Sequence, residues 1–421
     1  MKRIFVDSNQ FVVSHRSANK TMSVHSQIRR NSKFRIGFVD SNQFVVWHRS
    51  GFTLTELLIV IAITAIISAA GFLSLGNYRG RQAVQSAVDE MSSVARATRQ
   101  RSMAQEGGGR WGIRFSNSST SVSSYTTFRG YAFATGTIDR QYSLPTNVNF
   151  SNPFVSSTYD LVFSPLAGSV PERKVFSVVS GRGSAPVGDL VVKSNGSAVS
   201  RLEKGVVGYW HLDENTSSTA YDASGFANTG ALYSSSTICS NPPTAGCPSW
   251  QSGSGCKAGA CLSFDGTYNY VQIPSAGSLN PAASPFSVEI WFKLNSAGSL
   301  SGSILYNKEN LYEASAGGGY FSYAWQPYWA WTSAFSVNIG EWYQAVVVYD
   351  GANQSVYKNG TLVYSRVQTG SMGANTNALR IGARGAPGAA SSFFPGIVDE
   401  IRVYNKALTA TEIQAMYNDL K

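Results

Sequence analysis

The chain has 421 residues, of which 43% are hydrophobic and 14% charged, and carries a net charge of +10 at neutral pH. That length predicts two or three modules, and low charge with 40 glycines points to β-rich extracytoplasmic modules rather than a cytosolic enzyme. The excess charge lies in residues 1–51 (nine Lys/Arg against two acids) and 52–205 (fifteen against nine); residues 206–421 are mildly acidic, ten against thirteen, which argues against nucleic-acid binding by that half.

In chain order, the first feature is a repeat. "FVDSNQFVVSHRS" at 5–17 returns as "FVDSNQFVVWHRS" at 38–50, offset by 33 residues, and one unit this short makes no solenoid. From Phe52 to Leu75 the one charge is Glu56. As a helix this run reaches about 36 Å, enough to cross a bilayer core. A plain transmembrane anchor accounts for its length, and so does a secretory signal peptide cut after Ser68-Ala69-Ala70. Neither accounts for Glu56, because a charge in the membrane costs several kcal/mol unless it is paired.

The pattern Gly51-Phe52-Thr53-Leu54-Thr55-Glu56, preceded by His48 and Arg49, resembles the class III signal of type IV prepilins and pseudopilins. The resemblance implies cleavage after Gly51 by a prepilin peptidase and N-methylation of Phe52. It further implies that Glu56 meets the new N-terminal amine of a neighbouring pilin subunit, each buried charge being tolerable beside the other. The expected location is then the inner membrane, head outside, before assembly into a pilus or a type II secretion pseudopilus. Residues 1–51 become a removed leader. It is longer than is usual in that family, or its start is misassigned and initiation lies near Val45 or Val46.

Residues 52–105 read as one long helix, with Val84, Val88, Met91 and Ala95 on an apolar stripe and Gly71, Gly76 and Gly80 weakening its middle. "EGGG" at 106–109 ends it. Residues 106–205 read as short strands, including "RWGIRF", "YAFAT", "KVFSVVS" and "DLVVKS". The end of this stretch resembles the head of H-type minor pseudopilins, implying an α+β pilin plan of long helix plus β-rich head. Arg96, Arg99, Arg101, Arg110 and Arg114 cluster near the helix end. Some related minor pilins bind DNA, but salt bridges or a solvated face are the plainer expectation.

A charged hinge, "RLEKG", leads into residues 206–421. All four cysteines, Cys239, Cys247, Cys256 and Cys261, lie in one loop-rich stretch here, without the close pairs of a zinc site. An oxidising compartment and two disulfides are expected. Three connectivities are open, and pairing of neighbours is our choice among them. "GYWHLDENTSSTAYDASGFANTGAL", "CLSFDGTYNYVQIP…FSVEIWFKL", "GEWYQAVVVYDGANQSVYKNGTLV" and "GIVDEIRVYNKALTATEIQAMYN" resemble the concanavalin A-like, laminin-G-like jelly roll. That implies an all-β, two-sheet sandwich whose first and last strands pair. Glu289 and Glu341 stand alone on their elements, and His211 is the one histidine after residue 51, so neither a glycosidase pair nor a triad motif is visible.

Two binding features are expected instead. Asp222, Asn228 and Asp399 are candidate calcium ligands, with a turn cap or an arginine pair as the other reading of Asp399. Phe321, Tyr323 and Trp325 recur at every second position, as do Trp329 and Trp331, placing each set on one face of a strand as either sandwich core or an aromatic platform for a sugar ring. The whole reads as a minor pilin or pseudopilin subunit with an adhesive module for a carbohydrate or surface-protein ligand.

Overall fold

Residues 5–7, 10–14, 33–38, 43–49 and 53–421 are described in this computed structural model, apart from 120–121, 182–185, 283–284, 299–302 and 386–388. For 5–49, and for 66, 67 and 69–77, the description covers the backbone alone. The chain divides into two units, Met1–Leu75 and Gly76–Lys421.

In the first unit, strands Phe5–Asp7, Gln10–Ser14, Lys33–Phe38 and Gln43–Arg49 form a four-stranded sheet. The two copies of the repeat pair with each other, antiparallel, with Phe11 opposite Val46 and Val13 opposite Phe44. A segment expected to be no more than a leader thus forms strands. Two copies of one β-favouring sequence are well matched to pair edge to edge.

Helix α1 spans Leu54–Met103, within two residues of the predicted bounds. Thr53 and Glu56 cap its start: the Thr53 N–H and hydroxyl each donate to Glu56 Oε2 at 2.8 Å, and the Glu56 N–H donates to Thr53 Oγ1. Thr53-x-x-Glu56 is a capping box. Leu57, Leu58, Ile59, Val60, Ile61 and Ile63 follow it and are all exposed. Among the described residues no helix is long and apolar enough to cross a membrane.

In the second unit, the later part of α1 buries Val84, Ala87, Val88, Met91 and Ala95 against two four-stranded sheets. Trp111–Asn117, Ser124–Arg129, Thr137–Ser143 and Ser157–Phe163 make one sheet. Val148–Asn152, Lys174–Ser180, Val187–Val192 and Ala198–Glu203 make the other. "YAFAT" is not a strand; its Phe133–Thr135 is a 3₁₀ turn.

Residues 206–421 form the expected sandwich, and the first strand, Val206–Trp210, pairs with the last, Gly396–Tyr404. One sheet is centred on Gly396–Tyr404, Phe286–Leu294 and Trp342–Tyr349. The facing sheet runs from Gly230–Ser234 and Asn269–Ile273 through Leu379–Ile381 and Ile304–Lys308 to Tyr328–Ser336 at its edge. Between them lie Phe286, Ile290, Phe292, Tyr312, Phe321, Tyr323 and Trp325. The Asn359-Gly360 turn has both residues at positive φ (52° and 82°), the twist that a two-residue hairpin requires.

"RLEKG" is no hinge. Arg201 and Glu203 lie on the strand Ala198–Glu203, with Arg201 Nη1 3.0 Å from Glu203 Oε1 and Nη2 donating to Ala415 O. Strand Val187–Val192 is buried on both faces: Leu190 and Val192 pack toward α1, while Val187 joins Tyr209, Val346 and Tyr404, and Val191 joins Trp291 and Leu420. The terminal helix α2, Ala410–Leu420, is held from the head by Lys193, which donates to Asn418 O at 2.9 Å, and by Arg173, which donates to Leu420 O. Head and jelly roll therefore share a core. Cutting at residue 206 would expose Tyr209, Val346 and Tyr404, so the isolated 206–421 fragment is expected to aggregate where 76–421 stays soluble. Equal soluble yield and equal binding of a hydrophobic dye by the two fragments would contradict this.

Candidate functional site

The densest set of ionisable groups sits where the jelly roll meets the head. On Gly396–Tyr404, Val398, Ile401 and Val403 face the sandwich core. The pairing slips by one residue opposite Glu289 and Trp291, leaving Glu400 as the extra residue, at φ 49°. This bulge places Asp399, Glu400 and Arg402 on the face toward the head, which strict alternation would forbid. Arg402 lies 2.8 Å from Glu289, 2.7 Å from Glu400 and 4.0 Å from Asp189 of the head. All four residues are fully buried.

His211 closes the set. Its Nδ1 is 2.8 Å from Glu400 Oε1 and its Nε2 is 2.8 Å from Ser177 Oγ, which in turn donates to Asp189 Oδ1 at 2.5 Å. Ser177 has one proton to give, so with Asp189 ionised the imidazole must donate at both nitrogens, as a cation. Burial alone would lower the His211 pKa, but the Glu400, Asp189 and Asp213 carboxylates outweigh it and the net shift is upward. Burial also opposes ionisation of Glu400, yet His211 and Arg402 bring it down to about 2. Asp189 is pushed up to about 6 by burial. Nearby, Lys174 Nζ is 3.0 Å from Asp213 Oδ1, and Asn152 donates to Oδ2 of the same carboxylate.

Ser177, His211 and Glu400 stand in the order of nucleophile, base and acid. They are 0%, 3% and 0% exposed, between two packed domains, and Ser177 spends its proton on Asp189. Acyl transfer needs a nucleophile that a substrate can touch, so this line is a strut. Of the two separate acids, Glu289 is buried on Arg402 and Gln344, while Glu341 is held by Tyr343 and Asn338.

The other predicted residues are placed as follows. Gly51 and Phe52 lie outside the described residues. Asp222 accepts from the N–H groups of Tyr209, Ser224 and Asn228 and from the Ser224 hydroxyl, at 2.7–2.9 Å, so it organises its own loop. Asn228 donates to Val207 O and Ser278 Oγ. Asp399 shares none of these partners: its Oδ2 accepts from the N–H groups of Lys257 and Ala258, and burial beside Glu400 raises its pKa well above the usual range. The structure thus brings Asp222 and Asn228 together and leaves Asp399 apart.

Tyr323 and Trp325 are fully buried in the sandwich core, which corrects their assignment to a ligand platform. Trp329 and Trp331 lie on the edge strand Tyr328–Ser336, where Trp331 is 41% exposed and Trp329 half-buried. Cys239 is bonded to Cys247 and Cys256 to Cys261. Cys256, Cys261 and Asp399 lie close together, but sulfurs joined in a disulfide offer no thiolate to a metal. Of the arginine cluster, Arg96 bonds Ser92, Arg99 bonds Gly168, Arg101 pairs with Glu106 and Asp139, Arg114 pairs with Asp160, and Arg110 stacks over Tyr131.

Residues 48–72 match the prokaryotic N-terminal methylation motif, and residues 265–414 match the concanavalin A-like lectin/glucanases superfamily. The chain therefore joins a prepilin-like methylation motif to a concanavalin A-like domain. No curated protein matches it. Among solved structures, domain 4 of the GH43 extracellular arabinanase AbnA from Geobacillus stearothermophilus, in complex with arabinotriose, is 18% identical with a TM-score of 0.38, covering 51% of this chain and 98% of that one. The binding domain of Paraclostridial Mosquitocidal Protein 1 is 12% identical with a TM-score of 0.40, covering 51% and 52%. The binding domain of botulinum neurotoxin DC, in complex with rat synaptotagmin II, is 14% identical with a TM-score of 0.36, covering 52% of each chain. The chain spans about half the length of these last two.

Proposed function

We propose that this chain is a type IV pilin-like subunit, cleaved after Gly51 and methylated at Phe52, that carries a lectin-type binding module outward on a rigid head. The observation that best supports this is the start of α1. Five consecutive apolar residues, Leu57–Ile61, are exposed on every side of the helix, and such a surface needs a lipid or helical partner. In the precursor that partner is the inner membrane, with the basic leader on the cytoplasmic side. In the filament it is the bundle of neighbouring subunits. Glu56 caps its own helix in the precursor and meets a neighbour's new amine after cleavage.

A bulky module fixed to the head suits a minor subunit better than the shaft, and a binding role suits it better than catalysis. The ligand is a carbohydrate or a surface protein, sampled both with calcium and with a chelator because Asp222 and Asn228 share one loop. The test is mass spectrometry of the mature N-terminus. A methylated Phe52 is expected; a start at Gly71 would mean an ordinary secreted protein and end this reading. Glu56→Leu is expected to reduce recovery in sheared filaments about tenfold or more, since an unpaired buried amine costs several kcal/mol.

A further inference from the structure

A second buried set, separate from the His211 line, gathers three side chains from three stretches of chain. Asn152 ends the strand Val148–Asn152, Lys174 begins the neighbouring strand Lys174–Ser180, and Asp213 follows the first jelly-roll strand, Val206–Trp210. Lys174 and Asn152 are 5% and 4% exposed, and the Asp213 side chain is 4% exposed. One carboxylate serves both nitrogens: Lys174 Nζ lies 3.0 Å from Asp213 Oδ1, and Asn152 Nδ2 donates to Oδ2 at 2.9 Å. Nδ2 also donates to Val175 O at 2.7 Å, next to Lys174 in the chain, which fixes the end of the amide that faces the acid. The Ala260 N–H donates to Oδ1 at 2.6 Å and holds that oxygen independently of the lysine. The Tyr159 ring lies 4.6 Å from Nζ. A Cβ at Gly259 would collide with Oδ1 and Nζ alike, so bare backbone, tied to Arg173 O through the Gly259 N–H, closes the site.

As a plain strut this set is poorly made. An ammonium has three N–H groups to satisfy, and among the described residues Lys174 Nζ meets one carboxylate oxygen and one ring face. Desolvating both charges can cost more than one such contact returns. Passing one proton from Nζ to Oδ1 removes both charges and leaves a neutral amine, which is a nucleophile, beside a neutral acid. The other partner of that acid is the primary amide of Asn152.

We propose that Lys174 and Asn152 join in an intramolecular isopeptide bond, with Asp213 as the proton relay. The flexible lysine chain swings Nζ from Oδ1 to the side-chain carbonyl carbon of Asn152. The Nζ–Cγ bond forms, the Cγ–Nδ2 bond breaks, and Nδ2 leaves as ammonia. Asp213 gives its proton to Nδ2 from Oδ2 and takes one from Nζ, so the exchange leaves it unchanged. Nothing is oxidised or reduced, and no co-reactant enters. An amide is inert to an amine in water; holding both on one carboxylate in a closed site supplies the rate. Because the reacting side chains belong to the head and the relay to the jelly roll, the link forms once the two are packed together. It staples two adjacent strands and closes the stretch between residues 152 and 174 into a covalent loop. Neither filament assembly nor the ligand of the jelly roll takes part.

The test is mass spectrometry of the detergent-solubilised full-length chain after reduction, denaturation and proteolysis. The peptides carrying Asn152 and Lys174 should appear as one branched species, lighter than their sum by one ammonia, about 17 Da, with fragment ions placing the junction on those two side chains. Lys174→Arg should release the two peptides unlinked, and so should Asp213→Asn, which keeps the shape of the relay but cannot exchange its proton. The wild-type measurement decides the matter whether or not the variants fold. Separate, unmodified Asn152 and Lys174 peptides from the wild-type chain overturn the proposal. A branched species that persists in Asp213→Asn removes Asp213 from the role of relay.

Discussion

Arg402→Met is expected to destabilise residues 76–421 by about 3–5 kcal/mol, the usual cost of removing one member of a buried charge set. The reason is what stays behind. Glu289 and Glu400 are fully buried on the guanidinium, and Asp189 of the head faces it at 4.0 Å. Burial raises Glu289 and Asp189 even with Arg402 present, so without it both must be carried as acids or as unpaired charges. Urea unfolding of the variant measures the loss. Arg402→Lys should lose less, because it keeps the positive charge, but should still lose some, because one ammonium cannot serve Glu289 and Glu400 as a fork does. Adding Glu289→Gln and Glu400→Gln to Arg402→Met should recover part of the stability. No recovery in the triple variant, or a loss below about 1 kcal/mol in the single one, would show that the set is not a working strut.

Raising the pH from 5 to 8 is expected to destabilise the same unit, which is opposite to a protein held by low-pKa carboxylates alone. His211 faces Glu400 on the last strand, Asp189 and Ser177 on the head strands, and Tyr209 and Asp213 on its own segment. Its folded pKa is raised, so its contribution is fully present below the unfolded value near 6.5 and is lost as pH climbs through the folded value. Asp189, pushed up to about 6 by burial, adds the same sign, because it too holds a proton more tightly when folded. Glu214 and Glu313, each raised to about 7 by burial, do likewise. Glu400, held near 2, has the opposite sign, but its window lies below pH 5. One proton corresponds to a slope of about 1.4 kcal/mol per pH unit. The urea midpoint at pH 5, 6, 7 and 8 reads it, and His211→Gln should flatten the curve from an already lower start. A midpoint that rises with pH, or a slope that His211→Gln leaves unchanged, would remove the imidazolium from the interface.

The legible parts of this molecule are those written in adjacent residues. Val84, Val88, Met91 and Ala95 show a 3.6-residue period, and all four are buried. Thr409 and Glu412, spaced as Thr-x-x-Glu, form a capping box at the start of α2. Thr53 and Glu56 form the same box on α1, and the same four-residue pattern was there to be read. The head–module contact is hidden from local sequence for a definite reason. Charged residues in "RLEKG" suggest a solvated link, but Glu203 is buried and pairs with half-buried Arg201, which also donates to Ala415 O of α2. A better signal lay upstream: "VGDLVV" does not alternate, as a strand buried on both faces need not.

The sequence by itself determined the methylation motif around Gly51, the long helix with its exposed apolar start, and the jelly roll with paired first and last strands. The helix follows from periodicity among residues within a few positions of one another, while the motif and the jelly roll with its paired ends follow from the resemblance of short stretches to known families. The tertiary structure alone decided which aromatics are core. Tyr323 and Trp325 alternate as surely as Trp329 and Trp331 do, and two-residue spacing names a face without saying what covers it. It alone decided that one inserted residue, Glu400, would turn its carboxylate to His211 and join two domains into one. It also gathered Asn152, Lys174 and Asp213 into one buried set from three separate stretches of chain. Such groupings depend on register between distant strands, which the whole packed core selects and no local stretch encodes.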